Sequence, residues 1–125
     1  MSTYGDVYSF GIVLIEMLTG KKPTDPLFVN ELNIVSFVER NFPDHIFDVI
    51  DTPLQEEFNA ITEANMVAKN GVHKCLVSLL QVALSCTRQF PSERMIMREA
   101  SSSIGAIKTS YVSLLDGRHN HASEE

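Results

Sequence analysis

Thr3-Tyr4-Gly5-Asp6-Val7-Tyr8-Ser9-Phe10-Gly11-Ile12-Val13-Leu14-Ile15-Glu16-Met17-Leu18-Thr19-Gly20 is the stretch on which the reading of this chain turns. Val7, Phe10, Val13, Leu14, Met17 and Leu18 follow the three-and-four spacing of a helix face, and Ile12 and Ile15 extend apolar cover to the other side. A helix apolar almost all round is expected in the middle of a domain. Thr3 can cap its first turn, with Asp6 in the reciprocal position of a capping box. Gly20 suits the left-handed residue that ends a helix, and Pro23 follows soon after. Glu16 interrupts the apolar run, which falls far short of the ~20 residues that cross a bilayer. The expectation is a buried core helix.

Working outward, 125 residues with 44% hydrophobic and 21% charged content suit one globular domain with a real core. The net charge of −6 and the lack of a basic stripe argue against nucleic-acid binding. Lys21-Lys22, the densest basic spot, reads as a solvated helix end. Met1 is followed directly by polar residues, so no secretory leader is expected, and no C-terminal anchor motif stands out. Cys75 and Cys86 fall in one predicted helix about 16 Å apart at ~1.5 Å rise per residue. That is too far for a disulfide, and both read as small core hydrophobes in a reducing compartment.

Lys22 to Asn30, broken by Pro23, Asp25 and Pro26, reads as a loop. Asn30 or Asn33 can cap a second helix, Ile34 to Asn41, which Phe42-Pro43-Asp44 ends. His45 to Ile50 reads as a short helical turn stopped by Asp51-Thr52-Pro53. Residues 54 to 70 are polar and weakly periodic and read as a surface connection with a ragged helix. Val72 to Thr87 is a clear helix with Leu76, Leu79, Leu80, Ala83 and Leu84 as its stripe. Ser92 can cap a last helix from Glu93 to about Leu115, weakened by Ser101-Ser102-Ser103 and Gly105. Residues 116–125 are expected to be a disordered tail. No strand pattern and no internal repeat are evident, so the fold class expected is all-α, a central apolar helix with three or four more around it.

Asp6-Val7-Tyr8-Ser9-Phe10-Gly11 with Glu16-Met17-Leu18-Thr19-Gly20 resembles the central helix of the larger lobe of eukaryotic protein kinases. The following Lys21-Lys22-Pro23-Thr24-Asp25 is similar to plant receptor-like serine/threonine kinases with leucine-rich-repeat ectodomains. Asn41-Phe42-Pro43-Asp44, then Ile50-Asp51 and Leu54, resemble the segment after their second large-lobe helix. Leu84-Ser85-Cys86-Thr87, then Pro91-Ser92-Glu93-Arg94-Met95 and Met97, resemble their closing motif. Three pieces in the right order cover nearly the whole chain. The resemblance implies the lower half of a kinase C-lobe over residues 1–115.

Site roles follow from the resemblance one position at a time. Asp6 looks like the central-helix aspartate that accepts backbone hydrogen bonds from the catalytic loop, a charge-assisted anchor. Val13 and Met17 look like the residues supporting the adenine-side hydrophobic stack. Arg94 looks like the arginine that pairs with the glutamate closing the activation segment. Read without the resemblance, Asp6 is a helix-start charge and Arg94 a surface cation. Ser101 departs from the family, which usually has an apolar residue there.

Kinase chemistry uses a Gly-rich loop, a strand lysine, a helix glutamate, a His-Arg-Asp loop with its asparagine and an Asp-Phe-Gly magnesium site. None occurs in these 125 residues, and Ala-Pro-Glu is missing too. Leu115-Asp116-Gly117 is not the magnesium motif, because no phenylalanine separates its acid from its glycine. No catalytic residue is therefore expected here. ATP and magnesium are cofactors of the intact family, with none expected in this chain. His119-Asn120-His121 lacks the further ligands of a zinc site, and Cys75 and Cys86 have no evident activating base. The implied activity is ATP-dependent phosphorylation of protein serine and threonine, with this chain incompetent alone. The partner is expected to be the N-terminal part of the kinase domain or another kinase, and the substrates of the intact family are proteins. The chain itself is expected in the cytoplasm, with the parent a single-pass plasma-membrane receptor whose kinase faces the cytosol. A helical interaction module or decoy is the alternative, and an incomplete gene model of an intact receptor kinase is a third reading.

Overall fold

The computed structural model describes residues 3–63 and 65–124; the side chains of residue 62 and of 117–124 are outside the described set. Among these residues there are five α-helices and two short 3₁₀ turns, and no strand. The helices are α1 (Tyr4–Thr19), α2 (Ile34–Asn41), α3 (Thr52–Thr62), α4 (Met66–Cys86) and α5 (Met97–Glu124). The 3₁₀ turns are Ile46–Asp48 and Pro91–Glu93. The expected all-α class is the observed one.

The helix ends follow local chemistry. Asp6 N–H donates to Thr3 Oγ1 and Thr3 N–H donates to Asp6 Oδ2, both at 3.1 Å, which completes the capping box of α1. Gly20 closes α1 at φ 71° with its N–H on the Glu16 carbonyl. A side chain there would be strained by that φ and would meet the Asp51 carboxylate. Asn33 rather than Asn30 caps α2, its Oδ1 accepting from Ser36 N–H at 2.9 Å.

Two stretches differ from the sequence reading. Residues 54 to 70, read as a surface connection with a ragged helix, lie largely at the surface but form most of α3 and the first turn of α4. Pro53 sits in the first turn of α3, where a missing N–H costs nothing. Asn65 then caps α4, with Oδ1 accepting from Val67 and Ala68. The last helix begins at Met97 rather than Glu93, because Pro91–Glu93 forms a 3₁₀ turn and Arg94 is extended. At its other end the backbone of α5 is helical to Glu124. This differs from the expected helix end near Leu115 followed by a disordered tail over 116–125; Glu125 lies outside the described residues.

α4 is the hub, packed against α1, α3 and α5 and touching α2, whereas α1, expected to be central, packs mainly on α4 with α2 as its second neighbour. The main core joins Ile15, Leu18, Ile34, Val38, Ile46, Ile50, Val72, Leu76, Leu80 and Ala83. A smaller cluster joins Val7, Val82, Cys86 and Ala100 under the start of α5. The buried side of α1 is Val7, Gly11, Ile15, Leu18 and Thr19. This corrects the face drawn through Val13 and Met17, which are 51% and 67% exposed. Gly11 explains the rotation. A Cβ there would lie 2.6 Å from Thr87 Cγ2, 2.8 Å from Cys86 Cβ and 3.0 Å from the Ala83 carbonyl. The glycine brings the α1 backbone onto α4, so the contact line runs through the smallest residue. Below it, Asp51 N–H donates to the Leu18 carbonyl at 2.8 Å. Gln55 Nε2 donates to the Phe47 and Ile50 carbonyls at 2.7 and 2.6 Å. Together these bonds tie the Ile46–Asp48 turn and α3 to the end of α1.

Candidate functional site

Asp6, Val13 and Met17 are seven and four residues apart along α1, which places them on one stripe of the helix. All three are exposed, whereas the opposite side is buried. Asp6 stands at the helix N-terminus, where a carboxylate is favoured by the helix dipole. Its Oδ2 is engaged by Thr3 N–H, and among the described residues Oδ1 has no hydrogen-bond partner. The stripe therefore offers one acceptor oxygen at its top and two apolar side chains below it. Half-buried Phe10 flanks it.

Arg94 is at the same end of α1. Its Nε donates to the Arg88 carbonyl at 2.8 Å, Nη1 to the Tyr4 carbonyl at 3.1 Å and Nη2 to the Gln89 carbonyl at 3.5 Å. The guanidinium carbon lies 4.7 Å from the centre of the Tyr8 ring, a cation–π arrangement. One side chain thus clamps the α4–α5 turn onto the first turn of α1. Its partners among the described residues are backbone carbonyls and an aromatic face, and no carboxylate is among them. Beside it opens a mainly polar cleft of about 520 Å³, lined among others by Asn33, Ser36, Glu39 and Gln89.

Asp6 and Arg94 are brought to one end of α1, while Val13 and Met17 run away from that end along its outer flank. The Arg94 clamp on Tyr4 and Tyr8 is not visible in the sequence. Tyr4 and Tyr8 are one helical turn apart, but nothing in the chain order says that a residue some ninety positions later lies over them. The thiols behave as expected of core residues. Cys75 and Cys86 are free and buried, and burial pushes both above the usual 9.0. Among the described residues no group of three His, Cys, Asp or Glu could hold a metal. The His119 and His121 side chains lie outside that set. No described helix is long and apolar enough to cross a membrane.

No family model matches the chain. Individual relatives do. It is 36% identical to the receptor kinase-like protein Xa21 of Oryza sativa subsp. japonica over 108 residues, which is 86% of this chain and 10% of that protein. A putative receptor-like protein kinase of Arabidopsis thaliana is 38% identical over 111 residues, 88% of this chain and 10% of its own length. The Arabidopsis thaliana LRR receptor-like serine/threonine-protein kinase EFR is 31% identical over 112 residues, 90% of this chain and 9% of its length. The chain spans about a tenth of the length of these curated relatives. Over 86–90% of its length the chain is thus homologous to one segment of plant receptor-like kinases, leucine-rich-repeat receptor-like serine/threonine kinases among them.

Proposed function

We propose that residues 1–115 form the helical floor of a serine/threonine protein-kinase large lobe. In this reading Asp6 accepts backbone N–H groups of the catalytic loop. Arg94 holds the α4–α5 turn and faces the glutamate that closes the activation segment. Val13 and Met17 are the apolar support under the nucleotide-side stack. ATP, magnesium and the proton-accepting base belong to the rest of the domain, whose substrates are protein hydroxyls and whose receptor crosses the plasma membrane once. These 125 residues do not bind ATP productively or transfer phosphate by themselves.

The observation that carries the reading is the exposed apolar stripe on a helix whose opposite side is buried. With 0% exposure at Ile15 and 67% at Met17, α1 is covered on one side only. An acceptor oxygen at the top of that stripe suits a docked loop that brings N–H donors. The test is phosphotransfer by the purified chain with ATP and magnesium, contaminating kinases excluded. No product is expected, and labelled protein substrate would overturn the claim of incompetence.

The same exposure favours a second reading, a binding module or decoy that offers the Val13–Met17 flank to a kinase partner. Exposed apolar patches mark partner sites or aggregation liabilities. Gel filtration separates the two. A soluble monodisperse particle favours the module, and self-association that Met17→Ser abolishes favours a floor awaiting the rest of its lobe.

A further inference from the structure

A second feature lies away from the α1 stripe. Between α3, α4 and α5 is a cleft of about 400 Å³, inside the range of roughly 300–1,000 Å³ typical of small-molecule sites. Its walls are almost wholly apolar, formed chiefly by Leu54, Phe58, Leu76, Leu79, Ile104 and Ile107. One wall holds the Phe58 and Tyr111 rings edge to face, with centres 6.2 Å apart at 80°. Among the described lining residues, those with polar side chains are Glu57, Lys108, Tyr111 and the Cys75 thiol. Concave apolar walls with a few convergent polar groups are the usual composition of a ligand pocket.

We propose that this cleft binds a small uncharged amphiphile, with an aromatic or branched apolar body among the α3, α4 and α5 side chains and one hydroxyl or amide at the Glu57–Tyr111–Lys108 end. The charges decide the class of ligand. Glu57 and Lys108 have opposite sign, so a carboxylate drawn to Lys108 meets Glu57, and an ammonium drawn to Glu57 meets Lys108. A neutral donor–acceptor group can bond to either without that conflict. Tyr111 supports the same choice. Burial first, and then the Glu57 charge, push its phenol above the usual 10.0, so it stays a neutral donor at physiological pH. The site is independent of the kinase reading, since it shares no residue with Asp6, Val13, Met17 or Arg94.

The test uses the full 125-residue chain and three probes of one shape: 2-naphthalenemethanol, 2-naphthoate and 2-naphthylmethylammonium. Methyl NMR shifts at Leu76, Leu79 and Ile107 report the cleft, and those at Val13 and Met17 report the exposed flank of α1. The alcohol is expected to saturate with Kd of about 1 mM or tighter and to bind about tenfold better than either ion. Ile107→Trp fills the cleft and is expected to abolish the shifts. Glu57→Gln is a surface change that keeps the fold and leaves Lys108 unopposed. It is expected to raise 2-naphthoate affinity about tenfold and to leave the ammonium weak. Unsaturated shifts confined to Val13 and Met17, equal binding of all three probes, or no change in preference with Glu57→Gln would each overturn the proposal.

Discussion

Gly11→Ala tests whether α1 is seated on α4 as described. Two effects oppose each other. Replacing a mid-helix glycine by alanine favours the helix by about 1 kcal/mol. At Gly11, however, the added methyl would lie 2.6 Å from Thr87 Cγ2 and 2.8 Å from Cys86 Cβ, with the Ala83 carbonyl at 3.0 Å. Cys86 and Thr87 are buried, at 0% and 5% exposure. The carbonyl is helix backbone and cannot turn aside. Overpacking of this kind costs roughly 1–3 kcal/mol. Because three neighbours must move at once, the upper part of that range applies, and a net loss of about 1–2 kcal/mol is expected after the helix gain. In a chain of this size, the loss lowers Tm by about 3–8 °C. Gly105→Ala is the matched control, since its Cβ meets nothing within 4 Å, and it should stabilise by about 0.5–1 kcal/mol. Thr87→Ser in the Gly11→Ala background removes the nearest carbon and keeps the hydroxyl that donates to the Ala83 carbonyl at 2.9 Å, so part of the loss should return. The assay is urea unfolding followed by circular dichroism. Equal stabilisation by both alanine variants would refute the packing of α1 against α4, and with it the rotation that leaves Asp6, Val13 and Met17 outward.

Ile15→Ala should cost about 2–5 kcal/mol, whereas Met17→Ala should stay within about 0.5 kcal/mol; similar urea midpoints for the two would show that the buried and open sides of α1 are misassigned. Arg94→Ala removes three carbonyl contacts and the Tyr8 face from a half-buried guanidinium and should cost about 1 kcal/mol, with faster amide exchange in residues 88–94; an unchanged exchange pattern would contradict the clamp. Burial raises the Cys75 and Cys86 pKa values above 9.0 in the folded chain. Their contribution is therefore complete below pH 9.0, the unfolded value, and is lost as pH rises through the folded values, because the unfolded thiols release protons first. Urea midpoints should fall above that pH, and Cys75→Ala with Cys86→Ala should flatten the decline; an equally steep decline in the double variant would exclude the thiols as its cause.

The helix class, the cap at Thr3, the terminator at Gly20 and the separate positions of the two cysteines were legible because each depends on residues close in sequence. The face of α1 was not. Apolar count points to Val13 and Met17, but the packing line is set by Gly11, whose value lies in what it lacks and appears only when Ala83, Cys86 and Thr87 are placed beside it. The start of α3 was missed for a different reason. Pro53 reads as a breaker after the preceding turn and as a starter before Leu54, and only the hydrogen bonds of Gln55 to Phe47 and Ile50 choose between them. The candidate site residues were proposed from the resemblance, and their arrangement was not foreseeable from it. Arg94 was singled out by its motif, but its seat on the Tyr4 carbonyl and Tyr8 ring joins opposite ends of the chain.

The most direct test places residues 3–116 in the kinase domain of one of the receptor kinases it resembles, in exchange for the matching segment, and measures phosphotransfer with ATP and magnesium. The account predicts an active chimera whose kcat falls about 100-fold with Asp6→Asn, because a misplaced catalytic loop is as costly as a lost contact. Substrate KM should change little. An active chimera indifferent to Asp6→Asn would contradict the anchoring role of the α1 stripe, and a folded but inactive chimera would contradict the claim that this chain is the floor of a kinase lobe.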